Sequence, residues 1–244
     1  MILSIAIQKG GTAKSSSAAA LAQAAAYRGK RCLAVDLDPQ GNLSFFLGAN
    51  TDLSGAFELM NGKPAADVIQ HTAAGIDVIP ASWNLQTITS SRGSARRLKT
   101  ALEPITAQYD IIVIDTPPTA GELQYNALMA STDLVIPLLS DIGSLQGLYQ
   151  MADTAQQIQQ SNPALKLTGV ILTRYGNRST LSRQMADTIK DRAQAQGIPC
   201  LAAIREAVAI REAQTLQRSL YEYAANSKPA QDYLELFDTL TNEQ

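Results

Sequence analysis

The chain predicts an α/β protein, a doubly wound and mostly parallel sheet with helices on both faces, in one domain spanning residues 1–244. Two observations carry that prediction. Segments with strand and helix character alternate throughout, the order expected of consecutive βαβ units. The strand segments, Asp110 to Ile114 for example, are continuous apolar runs, as in strands buried on both faces. Right-handed crossovers then place ligand-binding loops at the carboxyl ends of the strands.

Each element has its own justification. Ile2 to Ile7 is an apolar run, and the Ala-rich Ser16 to Tyr27 has strong helix propensity, stopped by Arg28-Gly29-Lys30. Cys32 to Val35 is a second strand, ending in Asp36-Leu37-Asp38-Pro39-Gln40-Gly41-Asn42. Ser54 to Gln70 reads as short helices broken by Asn61-Gly62-Lys63-Pro64, Ile76 to Pro80 as a strand, and Gly93 to Gln108 as a helix with a basic patch (Arg96, Arg97, Lys99). Strand Asp110 to Ile114 is followed by Asp115-Thr116-Pro117-Pro118 and a helix from Gly121 to Ala130. Then come strand Leu134 to Leu139, helix Ser144 to Gln160, strand Leu167 to Leu172, helix Thr180 to Gln196 and strand Cys200 to Ile204. Glu206 to Arg218 is helical or irregular, and Pro229 to Leu240 is a closing amphipathic helix.

Composition narrows the function classes. Hydrophobic residues make up 45% and charged residues 17%, as in an ordinary globular protein, and a net charge of −2 advertises no polyanionic partner. The two cysteines, Cys32 and Cys200, lack metal-ligand spacing and read as buried free thiols in a reducing cytoplasm. No run approaches the ~18 apolar residues of a spanning helix, and the first strand lacks the flanks of a signal peptide. The single histidine, His71, falls near a predicted helix end and reads as a surface or capping residue, and Trp83 as a packing residue.

The chemistry concentrates in Gln8 to Ser16, Gln-Lys-Gly-Gly-Thr-Ala-Lys-Ser-Ser, between the first strand and the first helix. A glycine-bearing turn there presents backbone N–H groups and a helix dipole to a phosphate. Lys14 supplies a cation for the β/γ-phosphates and Ser15 a hydroxyl for Mg²⁺. The segment departs from G-x-x-x-x-G-K-[ST] at Gln8 and Ala13 but matches the variant K-G-G-x-x-K-[ST], whose extra lysine is Lys9. Asp36, Asp38 and Asp115 fall just beyond strand ends on the same edge, where carboxylates can gather around a metal ion.

With these motifs the chain resembles the ParA/Soj family of partition ATPases, deviant-Walker-A (SIMIBI) P-loop NTPases of the class that includes MinD. The segment Asp36 to Asn42 is similar to that family's second motif, and Ile112 to Pro118 to its Walker B strand and second switch. Thr173-Arg174-Tyr175, Arg178 and the tail Lys228 to Leu236 also look like the chromosomal Soj branch. The resemblance implies an ATPase using ATP and Mg²⁺, weak alone, with ATP sandwiched in a homodimer. Gly10, Gly11, Thr12, Ala13 and Ser16 would line the phosphates with Lys14 and Ser15. Lys9 would reach the other protomer's nucleotide, in logic like an arginine finger. Asp38 would position the attacking water, Asp36 and Asp115 would support Mg²⁺ through its waters, and the adenine would lie near Thr173, Arg174, Ile204 and Arg205. The family usually has Pro-Arg after the last strand, whereas this chain has Arg205-Glu206.

From Arg174 to Arg218 there are eight cations and four acids, an excess of +4 against −2 overall. A local basic excess can be a nucleic-acid footprint or a solvated face. The resemblance implies non-specific DNA binding at Arg178, with Arg205 and Arg211 flanking an uncharged Ala209, and a ParB-like centromere-binding protein that stimulates hydrolysis in a cytoplasmic, nucleoid-associated system. The competing expectation is a MinD-like membrane-surface ATPase. That reading needs a basic amphipathic C-terminal helix, whereas Asp232 to Gln244 carries four acids and no Lys or Arg.

Overall fold

The computed structural model describes residues 1–90, 94–176 and 180–242. Its centre is an eight-stranded sheet. In chain order the strands are β1 (Ile2–Ile5), β2 (Cys32–Asp36), β3 (Gln70–His71), β4 (Asp77–Ile79), β5 (Ile111–Asp115), β6 (Asp133–Leu138), β7 (Lys166–Tyr175) and β8 (Cys200–Arg205). Across the sheet they run β3-β4-β2-β5-β1-β6-β7-β8, with every pair parallel except β3–β4. The helices are α1 (Lys14–Tyr27), α2 (Asn42–Phe46), α3 (Ala56–Met60), α4 (Arg97–Leu102), α5 (Glu122–Ala130), α6 (Ile142–Gln159), α7 (Thr180–Ala195), α8 (Val208–Thr215), α9 (Leu220–Tyr223) and α10 (Lys228–Thr241).

Both faces of the sheet are buried, as the continuous apolar runs require. Along β5, Ile111 and Val113 pack with α1 and α10, while Ile112 and Ile114 pack with α4 and α5 on the opposite face. Ala18 to Ala25 of α1 are all buried. Small side chains let this helix lie closely between sheet and α10. Tyr233, Leu236, Phe237 and Leu240 of α10 complete that layer. On the other face Leu148 and Met151 of α6, with Ala186 and Ile189 of α7, cover β6 and β7. Among the described residues no helix is long and apolar enough to cross a membrane.

Several local expectations change. β1 stops at Ile5, because the chain turns toward the phosphate loop although Ala6 and Ile7 remain buried. The helix expected over Gly93 to Gln108 is a 3₁₀ turn (Ser94–Arg96), the short α4 and a second 3₁₀ turn (Thr106–Gln108), divided at Pro104, while Gly93 lies outside the described residues. His71 sits in antiparallel β3 and pairs with Asp77 at 2.5 Å. Trp83 is 62% exposed rather than packed, and Cys200 is only half-buried. The helices α2 and α9 are too short to leave a periodic trace.

Candidate nucleotide site

The carboxyl ends of β1, β2 and β5 meet at one edge, and register brings the predicted groups together. Asp36 of β2 lies directly opposite Asp115 of β5, which in turn pairs with Ile5 of β1, just before the phosphate loop. Residues 79 positions apart in sequence therefore share one site, as the parallel order demands.

The loop ends in an unusual helix start. Ala13 is the N-cap of α1, in the left-handed region (φ 63°, ψ 30°), and no side chain caps the helix. Gly11 also has positive φ, 74°. The first-turn N–H groups are thus left to an external acceptor, the condition for an anion site at a helix N-terminus. Ala13 accordingly stands where a glycine would be unstrained, and the cost of its methyl group is conformational. The Thr12 hydroxyl is buried with no partner, a further donor in the same loop. Thr12 O is held by the Thr173 hydroxyl at 3.0 Å, which also lies 3.2 Å from Leu138 O. Thr173 therefore ties the loop to β6 and β7, with its hydroxyl committed there.

The Lys14 ammonium donates to the Lys9 carbonyl at 2.7 Å. Burial lowers its pKa, while Asp115 and Asp38 work against that shift. Asp36 and Asp115 are fully buried. Burial pushes Asp36 up to about 6, against the pull of Ser44 and the Asp38 N–H. Asp115 is raised well above the ordinary carboxylate range by burial and by neighbouring Asp36, and the Ser15 hydroxyl pulls it back. A divalent cation would relieve this congestion. Asp115 Oδ2 is buried without a partner and Ser15 lies beside it, so these two groups fit a magnesium ion completed by phosphate oxygens and water. Asp36, expected to support the ion through its waters, also holds the neighbouring backbone. Oδ2 accepts from the Ser44 N–H (2.8 Å) and hydroxyl (2.7 Å), and Oδ1 from the Asp38 N–H (3.1 Å). Asp36 thereby fixes the backbone that carries Asp38. Among the described residues no three His, Cys, Asp or Glu side chains form a metal cage, which suits an ion held largely by its nucleotide.

Asp38 is 7% exposed and faces a cleft of about 420 Å³ with Trp83, Pro117, Pro118 and Leu123 along its walls. Lys9 is held within its own chain, its ammonium 2.5 Å from Asp141 Oδ1 and 3.3 Å from the Ser144 hydroxyl. A second cavity, of about 210 Å³, joins Ala13 and Ser16 to Thr173, Arg174, Ile204 and Arg205, the residues expected around the base. Phe46, Ile210 and Tyr233 also line it, and only the packing of α2, α8 and α10 onto this edge identifies them.

The predicted DNA cations separate. Arg178 lies outside the described residues. Arg205 is paired through its guanidinium with Asp232 (2.5 Å), and its side chain is 41% exposed. Arg211 is exposed, and with Arg183 and Arg192 it makes no ion pair among the described residues. Tyr233, Leu236, Phe237 and Leu240 of α10 are buried against the core.

A family model described as an AAA domain matches residues 1–167. The chain is 32% identical over 244 residues to the chromosome partitioning protein ParA of Myxococcus xanthus, covering 96% of this chain and 86% of that protein. It is 34% identical over 248 residues to the sporulation initiation inhibitor protein Soj of Bacillus subtilis, covering 96% of each. Among solved structures, a cobyrinic acid a,c-diamide synthase from Mycobacterium smegmatis with bound ATP analogue and magnesium has a TM-score of 0.84 and 32% identity, covering 98% of this chain and 93% of that one. With the phosphate loop, the paired carboxylates and the sheet order in place, these likenesses over most of its length show that the chain belongs to the ParA/Soj family of P-loop ATPases.

Proposed function

We propose that this protein is a DNA-partition ATPase. It binds ATP with Mg²⁺, pairs face to face with a second copy, holds DNA without regard to sequence, and lets go when a ParB-like partner stimulates hydrolysis. We place it in the cytoplasm, on the nucleoid, as one ATPase domain. The observation that carries the dimer is the distribution of exposed apolar side chains. Of the nine large apolar side chains exposed among the described residues, five (Phe45, Leu53, Trp83, Ile142 and Val208, at 49%, 57%, 62%, 74% and 55%) lie in segments that follow the carboxyl ends of β2, β4, β6 and β8. Apolar groups gathered around a nucleotide site indicate a surface that becomes covered.

Magnesium, when bound, neutralises charge on the β- and γ-phosphates. The chain's own residues do the rest. The α1 N–H groups and Lys14 hold the phosphates, Asp38 orients water from a backbone fixed by Asp36, and Lys9 leaves Asp141 to reach the facing protomer's nucleotide. Placement and charge dominate phosphoryl transfer, so a site completed only in the dimer turns over slowly until assembled.

Duplex DNA binding is the test, measured with ATP, ADP or no nucleotide over a salt series. Binding is expected to require ATP and to weaken steeply with salt, with Arg211→Ala lowering the log–log salt slope by about 1. Asp38→Ala is expected to bind ATP and DNA but not turn over. If that variant binds ATP yet never DNA, the partition reading fails. A synthase reading, favoured by the Mycobacterium smegmatis likeness, instead expects turnover that waits on a small-molecule co-substrate and ignores DNA.

A further inference from the structure

The base cavity has a weak wall. Its far side is the carboxyl end of β8, the edge strand of the sheet, with β7 as its sole ladder partner. The register of β7 and β8 shifts between Leu172 and Tyr175, beside the cavity, where Arg174 takes the left-handed conformation (φ 50°), and the ladder resumes at Tyr175 and Arg205, with the Glu206 N–H donating to Tyr175 O at 3.1 Å. An edge strand is bonded on one side only, and here a shift interrupts that one ladder just before its end.

Two adjacent residues of α10 supply what the ladder lacks. Asp232, 9% exposed, accepts from the Arg205 backbone N–H (2.8 Å), from Nε (3.0 and 3.1 Å) and from Nη2 (2.5 Å). A carboxylate gripping both backbone and guanidinium fixes the end of β8 in position and direction. The neighbouring Tyr233, 1% exposed, reaches the other side of the cavity: its hydroxyl is 2.8 Å from that of Ser17, in the first turn of α1. Ser17 is fully buried, so each hydroxyl is the other's side-chain partner in a site closed to water. Arg205 and Tyr233 both line the cavity.

We infer that Asp232 and Tyr233 are positioning residues for the nucleotide, Asp232 setting the wall against which a purine base rests and Tyr233 locking the phosphate-loop helix to that wall. The inference rests on the nucleotide reading and adds to it the residues that couple base recognition to phosphate binding. Base and phosphates are then held by adjacent residues of one helix, so single substitutions at the two positions separate their effects.

The experiment is calorimetric titration with Mg·ATP and Mg·UTP, which share ribose and phosphates and differ in base. Wild type is expected to prefer ATP. Asp232→Ala is expected to weaken ATP about ten-fold, the loss of a charged hydrogen-bond pair, and to leave UTP within about two-fold. Asp232→Asn, which keeps the shape and removes the charge, gives a smaller loss in the same direction, and it carries the test should the alanine variant fail to fold. Tyr233→Phe is expected to weaken both nucleotides, because it acts through Ser17 on the phosphates. A wild type without preference for ATP over UTP overturns the inference, as do Asp232 variants that weaken both nucleotides alike or neither. A wild type that binds neither nucleotide brings down the nucleotide reading itself.

Discussion

Ala13 is the residue at which this phosphate loop departs furthest from expectation, and its backbone shows the cost. A non-glycine residue at φ 63° sets its Cβ against the following carbonyl, an expense of about 1–2 kcal/mol. Glycine would remove that strain but add back about 0.4–1 kcal/mol of unfolded-chain entropy. Ala13→Gly is therefore expected to hold stability or raise it by up to about 1.6 kcal/mol, a rise of up to ~6 °C in melting temperature for a chain of this size. A clear fall in melting temperature would show that the methyl group makes packing contacts that outweigh the strain. Asp36 shows the opposite relation between pattern and place. It occupies a motif position, and of the three hydrogen bonds it accepts, two tie it to Ser44 and one holds the backbone of Asp38.

At the scale of elements, α1 and α6 start in contrasting ways. The start of α1 is bare, while α6 is capped by Asp141, whose carboxylate accepts from the Ser144 N–H at 2.8 Å. Partial burial alone would raise the Asp141 pKa, but the Lys9 ammonium and the Ser144 donors carry it below the ordinary range. One side chain thus caps a helix and holds the lysine expected to act across a dimer. Asp141→Ala is expected to cost about 1 kcal/mol, the usual loss of an N-cap, seen as a melting temperature lower by ~2–4 °C. The same variant frees Lys9, so an unchanged melting temperature would mean that the ion pair had been straining the cap. The sequence placed the start of α6 near Ser144, where the apolar period begins. The cap at Asp141 moves it to Ile142, because the first turn of a helix is fixed by its hydrogen bonds, here the Asp141 carboxylate accepting from the Ser144 N–H.

Over the whole molecule, the buried carboxylates make stability depend on pH in a way that follows from their burial. The folded chain holds a proton on Asp36 up to about 6, whereas the unfolded chain releases it near 3.8. Between those values the native state binds more protons than the unfolded one, so this group's contribution to stability falls as pH rises. Asp110 works in the other window: bonding to Arg31 depresses its pKa to about 2, so its contribution is lost only as pH falls below 3.8. Urea unfolding of the ligand-free protein is expected to show stability declining from pH ~4 to ~6, with a shallower decline in Asp36→Asn. A decline of equal slope in that variant would assign the effect to another group. The sheet class, the chain order of phosphate loop and acidic turns, and the family were all legible in the sequence, because apolar runs and motif spacing are local properties. Tertiary structure alone decided that Asp36 faces Asp115 and that Trp83 stands in water. It alone joined Lys9 to Asp141 across 132 residues and Arg205 to Asp232 across 27. Such pairings depend on which strand ends and helix faces pack together, and the spacing of residues along one segment carries no record of its neighbours in space.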